Sequence, residues 1–245
     1  AYYLFVNGNR VGYSEDSYTA HEFNLTPYLN KDEEGNIANQ ENKLQIMLYQ
    51  YSLGSYLENQ DLISTFGIFR DVYLIGKDEV EIRDVAITTN NSGTLNTTVN
   101  LRSLQLSESK DYQLQVYVYK TDSNALVAKS QQERITLTAA LAGEEKINGA
   151  GVNAELTTSV ANPELWYFDD PNLYTVVVDL SDIEGNVKDI AAQRIGFREI
   201  EVTDEHYFTI NDQYVLIKGV NRHEFVIEEG RSLSKETIIQ DLLAM

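Results

Sequence analysis

The sequence predicts a mainly β chain that ends in one β/α unit, and two observations support this fold class. Short runs in which apolar and polar residues alternate recur along most of the chain, with turn-forming residues about every ten positions. Only near the end does an almost continuous apolar run precede a polar loop and a stretch with helical periodicity. At 245 residues, the chain is long enough for one large domain or two domains of ordinary size.

The first part of the chain, to about Ile75, is aromatic and rich in turns. Asn7-Gly8 separates two alternating runs in "YYLFVNGNRVGY", and this dipeptide is typical of a tight hairpin. Residues 30–42 are polar and lack periodicity, which predicts a surface loop between strands. Alternation resumes in "KLQIMLYQY", where we expect another strand.

The middle part, from about Lys77 to Phe197, contains seven or eight strand-like runs and no segment with helical periodicity. In two of these runs the apolar side chains fall on one face: Tyr112, Leu114, Val116 and Val118 in the first, and Tyr174, Val176, Val178 and Leu180 in the second. Turn signals such as "TDSN" and "EGN" separate the runs. The pattern is typical of a small antiparallel β-sandwich of immunoglobulin-like size.

The last part begins with a short hairpin through Asn211-Asp212. Tyr214 to Val220 then form an apolar run with almost no alternation, which predicts a strand buried on both faces. A helix is expected to begin after Ser234, a good capping residue, with Glu236 in the first turn where the helix dipole favours negative charge. One face of this helix is apolar and comprises Ile238, Ile239, Leu242, Leu243 and Met245. Strand, loop and amphipathic helix together predict the first unit of a β/α architecture.

Composition excludes several classes of protein. The formal net charge of −19 argues against a nucleic-acid partner, because binding to phosphates requires a basic surface and the 19 Lys and Arg residues form no cluster. Neutral ligands such as sugars are compatible with an acidic surface. The absence of cysteine excludes a disulfide framework and favours a cytoplasmic location, but many bacterial secreted proteins also lack cysteine, so a secreted location stays open. No apolar run is long enough to span a membrane, so no membrane partner is predicted.

Several motifs, taken together and in order, resemble glycoside hydrolase family 2, and in particular its β-galactosidases. "GSYLENQD" and "GIFRDVYL" resemble the sugar-binding jelly-roll domain. "NPELWYFDDPNLYTVVV" and "IGFREIE" resemble the immunoglobulin-like domain and its exit, and "IKGVNRHE" resembles the first strand of the catalytic barrel and the loop after it. The resemblance implies the second half of a jelly roll at 1–76, an immunoglobulin-like β-sandwich at 77–199, and the start of a TIM barrel at 200–245.

The resemblance also implies the activity. Family 2 β-galactosidases are retaining enzymes that hydrolyse terminal non-reducing β-D-galactose residues with two glutamates, one as acid and base and the other as nucleophile. In the family both glutamates come from later barrel strands, and a complete barrel takes about 250 residues. We therefore expect the chain to be an internal fragment that is inactive by itself, and its last helix, at 234–245, to be poorly protected or packed against a partner chain.

Three residues match functional positions of the family. His223 matches the histidine that stabilises the transition state, where a hydrogen-bond donor to a sugar hydroxyl gains strength as positive charge develops on the ring. Asp61 matches an aspartate that binds a sodium ion and the galactosyl hydroxyls, and Asn221 is a further candidate for substrate binding. Ile63 and Phe66 depart from the family pattern after Asp61, so the fine substrate preference of this loop is open.

The resemblance further implies Mg²⁺ and Na⁺ as cofactors, with the magnesium ligands outside this chain. It implies a β-galactoside substrate such as lactose, and a parent enzyme that is a homo-oligomer.

Other charged and aromatic residues near the motifs have structural interpretations. We expect Arg222 to pair with Glu224, and Arg70 to pair with Asp71. Trp166, the single tryptophan, is expected to be a core or interdomain residue rather than a sugar-stacking platform.

Two alternatives to a β-galactosidase stay open. The first keeps the family and changes the sugar, giving a β-glucuronidase or a β-mannosidase. The second is a non-catalytic carbohydrate-binding β-sandwich protein, which the β/α unit at the end of the chain disfavours.

Overall fold

Strands dominate the computed structural model, which describes residues 1–15, 19–37, 40–57, 66–103, 106–138 and 152–245. The chain divides into two units. Unit 1 contains residues 1–74 and 219–245, and unit 2 contains residues 75–218. Each unit is described by itself.

Unit 1 begins with the predicted hairpin. Strands β1 (Tyr2–Val6) and β2 (Asn9–Ser14) pair antiparallel, and β3 (Leu44–Leu48) pairs with the other edge of β1. Asn7 and Gly8 have φ angles of 50° and 82°, so both turn residues are left-handed, as a two-residue type I′ turn requires. The predictions of a hairpin at Asn7-Gly8 and of a strand in "KLQIMLYQY" are confirmed.

The side chain of Asn7 holds the polar loop that follows. Its Nδ2 donates to the carbonyl oxygen of Tyr28 at 2.9 Å and to Oδ1 of Asn42 at 2.8 Å. Its Oδ1 accepts from the backbone amide of Lys43 at 2.8 Å. A 3₁₀ turn at Thr26–Tyr28 and a short helix, α1 (Gly54–Leu57), complete the regular structure of the first 57 residues that the structure describes.

The last element of unit 1 is helix α2 (Lys235–Ala244). Ser234 caps it as predicted, since its side-chain oxygen accepts from the amide of Thr237 at 3.2 Å and Glu236 lies in the first turn. No residue of α2 is buried.

Unit 2 is a sandwich of two antiparallel sheets. One sheet has the order β4-β5-β9, and the other has the order β11-β10-β6-β7, with β8 also pairing with β6. The strands are β4 (Val80–Thr89), β5 (Thr94–Ser103), β6 (Lys110–Lys120), β7 (Ala125–Lys129), β8 (Glu133–Leu137), β9 (Val152–Ser159), β10 (Tyr174–Asp182) and β11 (Val187–Ile195). The described part of the chain thus has the eight strands expected for an immunoglobulin-like sandwich.

The core of unit 2 lies between these sheets. Alternate residues of β6 and β10 point into it, and the inward set is the predicted one: Tyr112, Leu114, Val116 and Val118 from β6, and Tyr174, Val176, Val178 and Leu180 from β10. Leu95, Val99 and Leu101 of β5 pack from the opposite sheet and are fully buried. This burial removes the apolar faces of both sheets from water and is the main stabilising contribution to the unit.

Unit 2 also contains a small three-stranded sheet after the sandwich. Strands β12 (Ile200–Val202), β13 (Phe208–Ile210) and β14 (Gln213–Tyr214) pair in that order. Asn211 and Asp212 form the predicted turn with φ angles of 49° and 63°.

The predicted buried strand from Tyr214 to Val220 is wrong. Regular pairing ends at Tyr214, and residues 215–220 have no regular secondary structure. Leu216, Ile217 and Val220 are all at least 65% exposed. A strand buried on both faces requires hydrogen-bonded neighbours on both edges, and within the described ranges no strand pairs with 215–220.

Candidate active-site loop

The segment that follows Val220 carries the candidate catalytic residues, and helix α2 anchors its beginning. Nε and Nη2 of Arg222 donate to Oδ2 of Asp241 on α2 at 3.0 and 2.5 Å. Arg222 is mostly buried by this contact, with 18% of its side chain exposed. The predicted Arg222–Glu224 pair is therefore wrong, because the two charges point to different partners.

Glu224 is held instead by an arginine from the first part of the chain. Nη2 of Arg70 donates to Oε2 of Glu224 at 3.0 Å. Nη1 of the same guanidinium donates to the carbonyl oxygen of Arg231 at 2.6 Å. The predicted Arg70–Asp71 pair is also wrong, since Asp71 accepts a hydrogen bond from the hydroxyl of Tyr73 at 2.7 Å.

A tight turn and a capping glutamate close the end of the segment. The backbones of Val226 and Gly230 exchange hydrogen bonds of 3.1 and 2.7 Å, and Gly230 has a φ of 61° that favours glycine. Glu229 accepts from the amide of Ser234 at 2.6 Å and from the hydroxyl of Thr237 at 2.7 Å. The Thr237 hydroxyl, followed by the Ser234 amide, holds the pKa of Glu229 below its ordinary value.

His223 lies between the two anchored residues and is exposed. Within the ranges that the structure describes, its ring makes no hydrogen bond or ion pair, and the same is true of the side chain of Asn221, which is also exposed. Both side chains are thus free to contact a ligand, while Arg222 and Glu224 fix the backbone that carries them. The arrangement can present a histidine donor to a hydroxyl-bearing substrate.

The other sequence-predicted site residue, Asp61, lies outside the described residues, as does Ile63. Phe66, the second departure from the family pattern, is 58% exposed.

Three family models match the chain in succession. The sugar binding domain of glycosyl hydrolases family 2 matches residues 1–78, a second model of glycosyl hydrolases family 2 matches 80–198, and the TIM barrel domain of the same family matches 200–245. The chain belongs to glycosyl hydrolase family 2.

Curated family 2 relatives align along the whole chain. A β-galactosidase of Halalkalibacterium halodurans is 35% identical over 245 residues, and a β-galactosidase of Yersinia pestis is 35% identical over 258 residues. Both alignments cover 100% of this chain but only 22% and 23% of the relatives. The chain thus spans about a fifth of the length of these curated relatives.

Solved structures show the same fold. A β-glucuronidase of Bacteroides uniformis superposes with a TM-score of 0.79 at 22% identity, covering 100% of this chain and 28% of that one. A β-glycosidase of Bacteroides vulgatus superposes with a TM-score of 0.74 at 21% identity, covering 99% and 28%. At this identity the likeness concerns the fold alone.

Trp166, expected to be a core or interdomain residue, is half-buried within unit 2. Its backbone amide donates to the carbonyl oxygen of Phe197 at 2.8 Å, and its carbonyl oxygen accepts from Nδ2 of Asn211 at 3.1 Å. The guanidinium of Arg198 lies 4.4 Å from the centre of the indole, and Gly196 packs against the base of the side chain. The backbone of Trp166 therefore joins the end of the sandwich to the turn of the β12–β14 sheet, and the indole packs on Gly196 and Arg198 in the connection between β11 and β12.

The described part of the chain contains no cluster of ligands for the metal ions that the family resemblance implies. No group of three or more His, Cys, Asp or Glu side chains is arranged there to hold a metal ion. The described residues therefore do not fit a magnesium site, and Asp61, the sodium candidate, lies outside them. In the same ranges, none of the helices is both long and apolar enough to cross a membrane.

Sequence reasoning missed the contacts of Arg70. The motif "GIFRD" pointed to this segment, but a pair of residues 154 positions apart leaves no local periodicity or spacing that could reveal it. Only the tertiary structure brings Arg70 to the loop that carries His223.

Proposed function

We propose that this chain is part of a retaining β-galactosidase that removes terminal non-reducing β-D-galactose residues from β-galactosides such as lactose. The observation that carries the proposal is the 35% identity with curated β-galactosidases along the entire chain. The exposed His223 on an anchored loop supports it, because a donor at this position is free to contact a sugar.

In the proposed mechanism, His223 donates a hydrogen bond to a hydroxyl of the galactosyl ring. This bond strengthens as positive charge develops on the ring, so it stabilises the transition state more than the bound substrate. Asn221 and Asp61 bind further sugar hydroxyls as donor or acceptor. The two glutamates, about 5 to 5.5 Å apart in retaining enzymes, belong to parts of the enzyme outside this chain. The 245-residue chain is accordingly inactive.

The proposal includes Mg²⁺ and Na⁺ as cofactors of the parent enzyme, with Asp61 as a sodium ligand and the magnesium ligands outside this chain. A bound cation supplies fixed positive charge that orients substrate oxygens. The proposal also includes a homo-oligomeric parent enzyme in the cytoplasm, without nucleic-acid or membrane partners. The net charge of −19 supports the absence of a nucleic-acid partner.

A β-glucuronidase is the main alternative, because several of the structural neighbours have that name. An anionic sugar requires a basic group in the site. Two of the three arginines at the loop are already paired with carboxylates, Arg70 with Glu224 and Arg222 with Asp241, and the third, Arg231, lies against the Phe69 ring. This pairing favours a neutral sugar such as galactose or mannose. The binding-module alternative is disfavoured by the match of residues 200–245 to a catalytic barrel domain.

The test is hydrolysis of aryl β-galactoside, β-glucuronide and β-mannoside by the longer protein that contains this sequence and by the 245-residue chain. We expect the longer protein to cleave the galactoside and the shorter chain to cleave none of the three. Preference for the glucuronide or mannoside would overturn the choice of sugar. Hydrolysis of no glycoside by the longer protein would overturn the proposed function.

A further inference from the structure

One guanidinium joins the two ends of the loop that carries His223. Arg70 donates to Glu224 at 3.0 Å and to the carbonyl oxygen of Arg231 at 2.6 Å. Glu224 directly follows His223 and Arg231 lies near the end of the loop, so a single side chain closes the segment 224–231 immediately after His223. Arginine suits this task because its planar donors point to two acceptors at once.

Two further contacts join the same two segments. The hydroxyl of Ser232 donates to the carbonyl oxygen of Phe69 at 3.2 Å, and the guanidinium of Arg231 lies 5.0 Å from the centre of the Phe69 ring. Residues 69 and 70 thus contact the loop at Glu224, Arg231 and Ser232. All of these residues belong to unit 1.

His223 depends on these contacts for its position. Its ring has no hydrogen bond of its own in the described structure, so its place is set by the backbone on either side. Arg222 is fixed by Asp241 of α2, and Glu224 is fixed by Arg70. The Cα atoms of His223 and Glu224 are joined at a fixed distance of about 3.8 Å. When Glu224 is released from Arg70, the backbone of His223 can therefore shift together with it.

We infer that Arg70 is a positioning residue for His223, which it holds in place by bonding Glu224 and the carbonyl group of Arg231. The inference rests on the proposed function only for the role of His223; the bracing of the loop by Arg70 is independent of the reaction. We expect the Arg70–Glu224 pair to contribute little to the free energy of unfolding, because both side chains are more than half exposed and solvent weakens such pairs. The contribution of Arg70 is to align His223. Displacement of a catalytic group by about 1 Å costs on the order of a hundredfold in rate.

The first measurement is backbone amide exchange in the 245-residue chain for Arg70→Ala, Arg70→Lys and Glu224→Gln. We expect Arg70→Ala to raise exchange at residues 223–232 about tenfold, with the amides of β1 and β3 unchanged. Lysine can keep one of the two contacts of Arg70, so we expect Arg70→Lys to raise amide exchange at these residues by less. The matched control is Arg10→Ala, which removes an exposed arginine 5.8 Å from the Tyr3 ring in the same unit and leaves the loop unchanged.

If exchange also rises throughout β1 and β3 in Arg70→Ala, that variant has lost its fold. The test of the inference then rests on the two conservative variants, Arg70→Lys and Glu224→Gln. Arg70→Lys and Glu224→Gln would then show a rise confined to the loop. Loop exchange equal to wild type in all folded variants would overturn the inference, whatever the enzyme hydrolyses.

The second measurement is the kinetics of the longer protein. Arg70→Ala is expected to lower kcat for the aryl galactoside by about tenfold to a hundredfold, with KM within about threefold of wild type, and Arg70→Lys to restore part of the loss. A rise in KM at unchanged kcat would overturn the positioning role. If the wild-type protein hydrolyses no glycoside but the loop loosens in Arg70→Ala, the proposed function fails and the bracing of the loop by Arg70 stands.

Discussion

At the scale of single residues, Gly196 is the position with the least room for a side chain in the contact around Trp166. A Cβ atom added at Gly196 would lie 2.4 Å from Cβ of Trp166 and 2.7 Å from its Cγ. Both neighbours are at the rigid base of the indole, so they can move only with the backbone that bonds Phe197 and Asn211.

Gly196→Ala should therefore destabilise unit 2. Overpacking of this kind costs about 1–3 kcal/mol, and we expect a loss of that size in the free energy of unfolding, measured by urea titration with circular dichroism. Gly76→Ala is the matched control, because an added Cβ there meets nothing within 4 Å. Equal stability of the two variants would contradict the account of Trp166.

The sequence favoured a structural role for Trp166, but it did not reveal the partners of the charged residues around the loop that carries His223. Motif spacing indicates only that Arg222 and Glu224 lie two positions apart in the chain, on either side of His223. It carries no information on Asp241 or Arg70, which reach the loop only through tertiary structure. Arg222 and Glu224, which flank His223, each found a separate partner, Asp241 on α2 for Arg222 and Arg70 for Glu224.

At the scale of elements, β6 is the central strand of unit 2. It pairs with β10 along one edge and with β7 and β8 along the other. Its inward side chains are fully buried between the two sheets.

Leu114→Ala on β6 should cost about 2–5 kcal/mol, because it leaves a cavity in a core that cannot fully collapse. Leu126→Ala on β7 removes the same atoms from a side chain that is 52% exposed, and should change stability by no more than about 0.5 kcal/mol. Urea unfolding of both variants measures the difference. Similar losses at the two positions would show that burial between the sheets is not what stabilises the unit.

Elements with local signals were predictable, and the one that depends on distant neighbours was not. The turns at Asn7-Gly8 and Asn211-Asp212 and the cap at Ser234 follow from the conformations that these residues favour. The segment 215–220 has the composition of a buried strand, but composition does not supply the hydrogen-bonding partners that a strand requires.

At the scale of the whole molecule, the two units differ in how their apolar surface is covered. Unit 2 encloses a continuous core, whereas α2 of unit 1 buries none of its residues and leaves Leu242 and Leu243 at 59% and 82% exposure. Short helices without tertiary packing are marginal in water.

The amides of α2 should therefore exchange much faster than those of β6 and β10. Hydrogen exchange measured by mass spectrometry on the 245-residue chain distinguishes the two regions directly. The control is to repeat the exchange measurement on diluted protein. Protection of α2 that decreases on dilution would come from association between chains. Protection of α2 equal to that of β6 in a monomer would contradict this prediction.

The order of the three family 2 parts along the chain was predictable from its motifs, and the family models match in that order. The grouping of residues 219–245 with residues 1–74 was not, because it depends on contacts such as that between Arg70 and Glu224.

The single tryptophan also gives the molecule an internal optical reporter. Trp166 belongs to unit 2 and unit 1 contains no tryptophan, so indole emission follows the unfolding of unit 2 alone. The Arg198 cation over the indole makes that emission sensitive to the packing of residues 196–198 around Trp166. Backbone signals, in contrast, average over both units. A difference between the optical and backbone unfolding curves would therefore report how independently the two units melt.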